Sequence, residues 1–180
     1  YYFRMGRRLN LKNPITYNEK LQWIKLHDRD PRYTMMVDKF AVKDYVASLI
    51  GSEYIIPTLA VWDKIEDIDL SALPDKFVLK TTNGGGGCGV VICTDKKSLD
   101  LEAAKRKLAH SLSSNIYINS REWPYKNVVP RVIAEQFMID ATTGDLRDYK
   151  YYCFDGEPKM ILIATERFTS AHVYFDYFDM

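Results

Sequence analysis

The stretch Phe77-Val-Leu-Lys-Thr-Thr-Asn-Gly-Gly-Gly-Gly-Cys-Gly-Val-Val-Ile-Cys93 decides the fold. It places two β-rich runs, 77–82 and 89–93, on either side of a glycine cluster. A dinucleotide-binding loop would open a helix, and a Walker A loop would end in Gly-Lys-Ser or Gly-Lys-Thr. Neither continuation occurs here, so the pattern predicts a glycine-rich hairpin between two antiparallel strands.

The glycines of this hairpin are Gly84, Gly85, Gly86, Gly87 and Gly89. Glycine has no Cβ, so backbone amides in such a loop can approach a phosphate closely and point at it. We therefore predict a flexible flap over phosphates. The alternative is a plain mobile β-turn, but four consecutive glycines are more than a turn requires.

Lys80 lies on the strand that enters the flap. Side chains alternate along a strand, so Lys80 shares a face with Val78 and can point into a cleft beneath the glycines. An ammonium group there would neutralise phosphate charge. The alternative is an edge lysine whose ammonium group reaches water.

Glu135 interrupts a β-rich run at 131–138, and acidic residues are rarely buried unless they are paired. A strand that ends in a linker can offer its backbone to an adenine edge, with the carboxylate accepting from the exocyclic amine. The alternative is an outward-facing glutamate on a half-exposed strand. Lys150 is similarly ambiguous between a second cleft cation and a surface lysine.

The remaining patterns predict an α+β fold with helices first and then mostly antiparallel strands. Thr16 and Glu19 fit a capping box at a helix start, and Asp155-Gly156 is a type I′ hairpin signal. Ser98 is the predicted cap of a later helix. The other expected elements are a helix at 34–50, short strands at 54–62, a helix at 99–112, a loop at 113–129, and strands at 131–138, 148–154 and 158–165.

Composition excludes several classes of function. The chain has 180 residues, of which 47% are hydrophobic, and 25 basic residues against 24 acidic ones give a net charge of +1. That near-neutral balance argues against nucleic acid as a partner. No apolar run approaches the length of a membrane span.

Three cysteines with no C-x-x-C pair argue against a disulfide framework and for a reducing, cytoplasmic compartment. The chain opens on Tyr-Tyr-Phe-Arg without an initiator Met, and we expect it to be a fragment of a longer protein.

The order of these motifs resembles the ATP-grasp superfamily, and the teichuronopeptide-biosynthesis (TupA-like) type in particular. The residues that carry the resemblance are Val37-Asp-Lys-Phe40, Tyr54-Ile-Ile-Pro57, Phe77-Val-Leu-Lys80, the glycine flap and Val132-Ile-Ala-Glu-Gln-Phe-Met138. Further matching stretches are Leu11-Lys-Asn-Pro14, Asn18-Glu-Lys-Leu-Gln-Trp23, Arg121-Glu-Trp123 and Asp148-Tyr-Lys-Tyr-Tyr-Cys-Phe-Asp-Gly156. Together they cover nearly the whole chain.

The resemblance implies a role for each matching position. Lys39 and Lys80 would contact the nucleotide, and residues 84–89 would cover its phosphates. Glu135, Gln136, Phe137 and Met138 would form the adenine hinge. Lys150 and Arg167 would supply catalytic cations for the γ-phosphate or acyl phosphate.

The resemblance also implies a division of the chain into three regions. Residues 1–70 would form a helical and linker region, 71–130 the flap subdomain that acts as a lid, and 131–180 the incomplete start of the C-terminal ATP-grasp subdomain. The cofactors would be ATP and Mg²⁺, with the magnesium ligands beyond Met180, so the fragment alone would not turn over.

The implied activity is ATP-dependent ligation of a carboxylate through an acyl phosphate. The carboxylate would belong to a sugar or amino acid of a cell-surface polysaccharide or teichuronopeptide. Two alternatives remain open: a kinase-like phosphotransferase, since Gly84-x-Gly86-x-x-Gly89-x-Val91 fits a kinase glycine loop, and a non-catalytic glycan- or nucleotide-binding module.

Overall fold

A computed structural model describes residues 1–140, 142–144, 146–165 and 173–180. Its helices are α1 (Tyr2–Met5), α2 (Tyr17–His27), α3 (Arg32–Val37), α4 (Ala41–Ile50), α5 (Leu101–Ser113) and α6 (Ile116–Ser120). Short 3₁₀ turns occur at Ser52–Tyr54, Lys96–Ser98 and Trp123–Asn127. The strands are β1 (Thr58–Trp62), β2 (Phe77–Thr81), β3 (Val90–Cys93), β4 (Val132–Gln136), β5 (Asp148–Phe154), β6 (Glu157–Thr165) and β7 (Tyr174–Asp179).

The first sheet has the order β1-β4-β2-β3, and its neighbouring strands are antiparallel. Along β2 the buried side chains Phe77 and Leu79 alternate with the partly exposed Val78 and Lys80, as the sequence predicted. The buried face packs against α5 through Leu108 to form the core. The opposite face therefore carries Lys80 away from the core.

The chain divides into two compact units, Tyr1–Phe137 and Met138–Met180. The second unit contains the antiparallel sheet β5-β6-β7. Asp155 and Gly156 have φ angles of 51° and 80°, so the predicted tight hairpin between β5 and β6 is present. The predicted α+β class with mostly antiparallel strands is confirmed.

The helix predicted at 34–50 was wrong as a single element, because the chain breaks it at Asp38. The Asp38 side chain is buried, and its Oδ1 accepts hydrogen bonds from the backbone amides of Phe40 at 2.8 Å and Ala41 at 3.2 Å. A carboxylate that satisfies the first free amides starts a new helix. Apolar periodicity continues across the break, so it gave no sign of it.

Several other boundaries differ from the sequence prediction. Asp100, and not Ser98, caps α5, because its carboxylate accepts from the Ala103 amide at 2.9 Å. The predicted capping box is present, with the Thr16 amide donating to the Glu19 carboxylate at 3.0 Å. The segment 113–129 is not a plain loop, since it contains α6 and a 3₁₀ turn. Strand β7 was not predicted.

The Asp38 cap gives a direct test of this account of the break. Asp38→Ala should lower the free energy of unfolding by about 0.5–2 kcal/mol, because two helix-start amides lose their acceptor. Urea denaturation monitored by circular dichroism would measure the change. Asp44→Ala is the matched control, since Asp44 is an exposed carboxylate in the first turn of α4. An equal loss in both variants would contradict the role of the Asp38 cap.

Candidate functional site

The candidate site lies on the face of the first sheet that points away from α5. In the antiparallel pairing of β2 with β4, Val78 lies opposite Glu135 and Lys80 lies opposite Ile133. Lys80 and Glu135 therefore point to the same side of the sheet. Glu135 is only 4% exposed, so its carboxylate requires partners that replace water.

Two lysines supply those partners. The Nζ of Lys43 lies 2.6 Å from Oε1 of Glu135, and the Nζ of Lys80 forms an ion pair with Oε2. Lys43 comes from the first turn of α4, whereas Lys80 comes from β2. The buried carboxylate thus joins a helix and two strands by charge-assisted contacts.

Lys43 is also bound to the chain that leads into β1. Its Nζ donates to the carbonyl oxygen of Ile56 at 2.8 Å and to Oγ1 of Thr58 at 2.8 Å. An ammonium group has three protons, and these three acceptors use all of them. Lys43 is therefore held in one position.

Lys39 links this cluster to the glycine loop. Its Nζ donates to the carbonyl oxygen of Gly84, and its backbone amide donates to the Thr82 carbonyl at 3.4 Å. Burial lowers the pKa of the Lys39 ammonium, and the nearby positive charge of Lys80 lowers it further. The negative charges of Asp38 and Glu135 oppose this shift.

An open cavity of about 250 Å³ separates α4 and residues 54–56 from this face of the sheet. Its charged lining consists of three lysines and one glutamate, so the net charge of these groups is positive. The remaining lining is apolar or aromatic: Val42, Val46, Tyr54, Ile55 and Ile56. Such a cavity can accept a ligand that has both an anionic and a flat apolar part.

The base of the glycine loop is packed tightly against a buried hydroxyl pair. Oγ1 of Thr81 and Oγ of Ser111 lie 2.7 Å apart. A Cβ atom on Gly84 would lie 2.5 Å from that threonine hydroxyl, and one on Gly89 would lie 2.5 Å from the Ser111 Cβ. Only glycine fits at these two positions without moving its neighbours.

The tip of the loop is open. Gly86 and Gly87 have φ angles of 59° and 78°, and a Cβ atom on either would meet no atom of the described part of the chain within 4 Å. Gly85, which precedes them, is partly buried, and a Cβ there would lie 3.0 Å from Ile116. The loop therefore has a fixed base and a free tip.

Asn83 fixes the entry of the loop to the end of α5. Its side-chain amide donates to the carbonyl oxygens of Ser114 at 2.9 Å, Leu112 at 3.3 Å and Ser111 at 3.4 Å. Ser111 and Leu112 lie in the last turn of α5, and Ser114 follows it. The buried Asn83 side chain adds a donor at this helix end, where the Ser111 carbonyl also accepts from the Ser114 amide at 3.2 Å.

The predicted hinge residues continue from Glu135. The backbone amide of Gln136 donates to the Pro57 carbonyl at 3.0 Å, so this amide already has a hydrogen-bond acceptor within the fold. The pairing of β4 with its neighbours ends at Gln136, which leaves Phe137 and Met138 outside the ladder. Met138 is the first residue of the second unit.

The remaining predicted site residues are the two catalytic cations, Lys150 and Arg167. Lys150 lies in the second unit on β5, where its ammonium group forms an ion pair with Asp148. Arg167 lies outside the described residues. Their catalytic roles stay predictions.

Sequence reasoning missed Lys43 and the Asn83 contact. Lys43 follows Lys39 by four residues, and that spacing on the helix predicted at 34–50 would have been the available signal. Such lysine pairs are common on solvated helix faces, so the spacing alone does not single them out. The Asn83 contact depends on α5, which is remote in sequence.

A second cavity, of about 490 Å³, lies between α2, α3 and the turn at Trp123–Asn127. It is lined mainly by apolar and aromatic side chains and contains none of the predicted site residues.

Comparison with protein families confirms the resemblance seen in the sequence. The sequence profile of the family described as TupA-like ATPgrasp matches residues 19–179. The chain belongs to the TupA-like ATP-grasp family. No curated protein and no solved structure showed a significant match. Family membership supports an ATP-binding ligase of the ATP-grasp type.

The described residues of this family member do not form a metal site. In the ranges 1–140, 142–144, 146–165 and 173–180, no three His, Cys, Asp or Glu side chains are grouped to hold an ion. We therefore assign no step to magnesium. In the same part of the chain, no helix has the length and apolar character that crossing a membrane requires.

The packing of the loop base predicts unequal effects of two similar substitutions. Gly86→Ala should cost about 1–2 kcal/mol of unfolding free energy, because alanine disfavours the left-handed backbone. Gly89→Ala should cost roughly 1–3 kcal/mol more, because its methyl group also overlaps Ser111. Urea denaturation would compare the two. Equal losses would show that the loop base is not tightly packed.

Proposed function

We propose that the cavity beside Glu135 binds ATP, with the phosphates near Lys39 and Lys80. The observation that carries the proposal is that three lysines line one cavity together with the buried Glu135. Lys43 and Lys80 pair with its carboxylate, whereas Lys39 donates to the Gly84 carbonyl of the glycine loop. Most of that positive charge is not balanced by the carboxylate. A polyphosphate supplies the missing negative charge.

The apolar side of the cavity fits the base of the nucleotide. Val42, Val46 and Ile55 provide a surface on which a flat ring can pack. The backbone that follows Glu135 remains the predicted hinge for the adenine edge. These two features support the proposal that adenine, rather than a second phosphate group, occupies this side.

The glycine loop would act as the lid. Its base is fixed by the hydroxyl pair and by Asn83, whereas a Cβ atom added at Gly86 or Gly87 of its tip would meet no atom of the described residues within 4 Å. A loop of this kind can close over phosphates while its ends stay in place. Closure would present backbone amides to the phosphates and exclude water from a reactive acyl phosphate.

The proposed reaction is ligation of a carboxylate. A carboxylate oxygen attacks the γ-phosphorus, the bond to the β-phosphate oxygen breaks, and ADP leaves with the electron pair. An amine or another nucleophile then displaces inorganic phosphate from the acyl phosphate. The lysines would contribute by neutralising charge that develops on the transferred group.

The resemblance to the teichuronopeptide-biosynthesis type supports a substrate class. We propose a carboxylate-bearing sugar or amino acid that becomes part of a cell-surface polymer, with the reaction in the cytoplasm. Lys150 and Arg167 stay the proposed cations for the acyl phosphate.

The position of the lysine favours this chemistry over that of a protein kinase. In kinases the nucleotide-binding lysine lies on a strand after the glycine loop. Here Lys80 lies on β2 before the loop, and β3 after it reads Val-Val-Ile-Cys.

Removing the Lys80 charge should weaken ATP binding. Lys80→Ala loses a charge-assisted phosphate contact, which is worth about 1.5–3 kcal/mol of binding free energy. Isothermal titration calorimetry with ATP would measure the loss. Lys76→Ala is the matched control, because Lys76 is exposed immediately before β2 and should bind ATP like wild type. Equal affinity of both variants would refute the phosphate role of Lys80.

The lowered pKa of Lys39 predicts proton uptake when ATP binds. As the pH rises through that lowered pKa, Lys39 loses its proton, and a nearby triphosphate favours the return of that proton. ATP affinity should therefore fall with rising pH. Isothermal titration calorimetry in buffers of different ionisation enthalpy would measure the number of protons taken up per ATP bound. The pH should be one at which ATP is fully ionised. Lys39→Met should abolish the uptake, and proton release in wild type would contradict this account.

A further inference from the structure

We propose that ATP binding exchanges the partners of Glu135, and that Lys43 is the positioning residue that makes this exchange possible. In the structure Lys43 and Lys80 each hold one carboxylate oxygen. On ATP binding Lys80 moves to the phosphates, while Lys43 stays. The freed Oε2 of Glu135 then accepts from the exocyclic amine of adenine. This inference rests on the proposed ATP binding.

The two lysines differ in how firmly they are held. Lys43 has acceptors for all three of its protons: Oε1 of Glu135, the Ile56 carbonyl and Thr58 Oγ1. Within the described residues, Glu135 is the partner that the structure shows for the Lys80 ammonium. The Lys80 side chain is also more exposed, at 27% against 14% for Lys43. Lys80 is therefore the lysine that can change partners.

The surroundings of Glu135 explain why the second lysine is required. A buried carboxylate that loses its counter-charge is strongly unfavourable. If Lys80 were its single cation, its departure for a phosphate would leave such a carboxylate. Lys43 removes that penalty, because it keeps Glu135 paired throughout the exchange.

The exchange also couples recognition of the phosphates to recognition of the base. Oε2 becomes available only after Lys80 has left, and it then requires a hydrogen-bond donor. The 6-amino group of adenine is a donor, whereas the 6-oxo group of hypoxanthine is an acceptor and would face the carboxylate unfavourably. Lys43 should therefore support the preference for ATP over inosine triphosphate.

The test compares ATP and inosine triphosphate in binding titrations of the full chain and its variants. Lys43→Met should lose roughly 10- to 100-fold in ATP affinity, because Lys80 stays with the otherwise unpaired Glu135. Its preference for ATP over inosine triphosphate should shrink. Lys64→Met removes an exposed lysine after β1 and should match wild type in both measurements.

The glutamate variants separate positioning from folding. Glu135→Gln should lose the preference for ATP over inosine triphosphate, because the glutamine amide can accept from the amine of adenine or donate to the oxo group of hypoxanthine. Lys43→Met combined with Glu135→Gln should recover ATP affinity, since no carboxylate then retains Lys80. Lys43→Arg keeps the charge and should keep the preference.

Two outcomes would overturn the exchange. One is an unchanged preference for ATP in Glu135→Gln, which requires no Lys43 variant to fold. The other is a loss of ATP affinity in Lys43→Met that the added Glu135→Gln does not recover. Failure of wild type to bind ATP would instead refute the proposed function, so the two failures are distinguishable.

Discussion

The buried carboxylate of Glu135 is the constraint around which the site is organised. It is almost fully removed from water, so it requires cations, and it obtains them from α4 and β2. Satisfying it brings a helix, the chain before β1 and the central strands to one point. The same requirement places Lys80 beside the cavity, which Lys39 also lines while it donates to the Gly84 carbonyl at the start of the glycine loop. The need to pair a buried carboxylate thus creates a cluster of positive charge.

The glycine loop likewise has a fixed part, its base, and a free part, its tip. Its two ends lie against the Thr81 and Ser111 hydroxyls, where any side chain on Gly84 or Gly89 would overlap them. Asn83 ties the entry of the loop to the end of α5. The tip between these ends has open space around it. A loop that is firmly held at its base can move at its tip without disturbing the sheet.

The parts of the site that depend on local periodicity could be predicted from the sequence. Alternation along β2 indicated the face of Lys80, and the glycine cluster between β-rich runs indicated a hairpin. The sequence indicated Glu135 as a candidate site residue, because its carboxylate lies within an apolar strand. Contacts between distant segments could not be predicted this way, which is why Lys43 and Asn83 were missed. The helix break at Asp38 was missed because apolar spacing continues across it, whereas the break depends on a single side-chain cap.

In the proposed exchange, Glu135 holds Lys80 until a triphosphate binds, while Lys43 remains in place. A crystal structure of the chain with a non-hydrolysable ATP analogue tests it most directly. We expect the Lys80 Nζ within hydrogen-bond distance of a phosphate oxygen, with Lys43 still paired to Oε1 of Glu135. An analogue bound elsewhere, or a bound triphosphate with Lys80 still on Glu135, would contradict it.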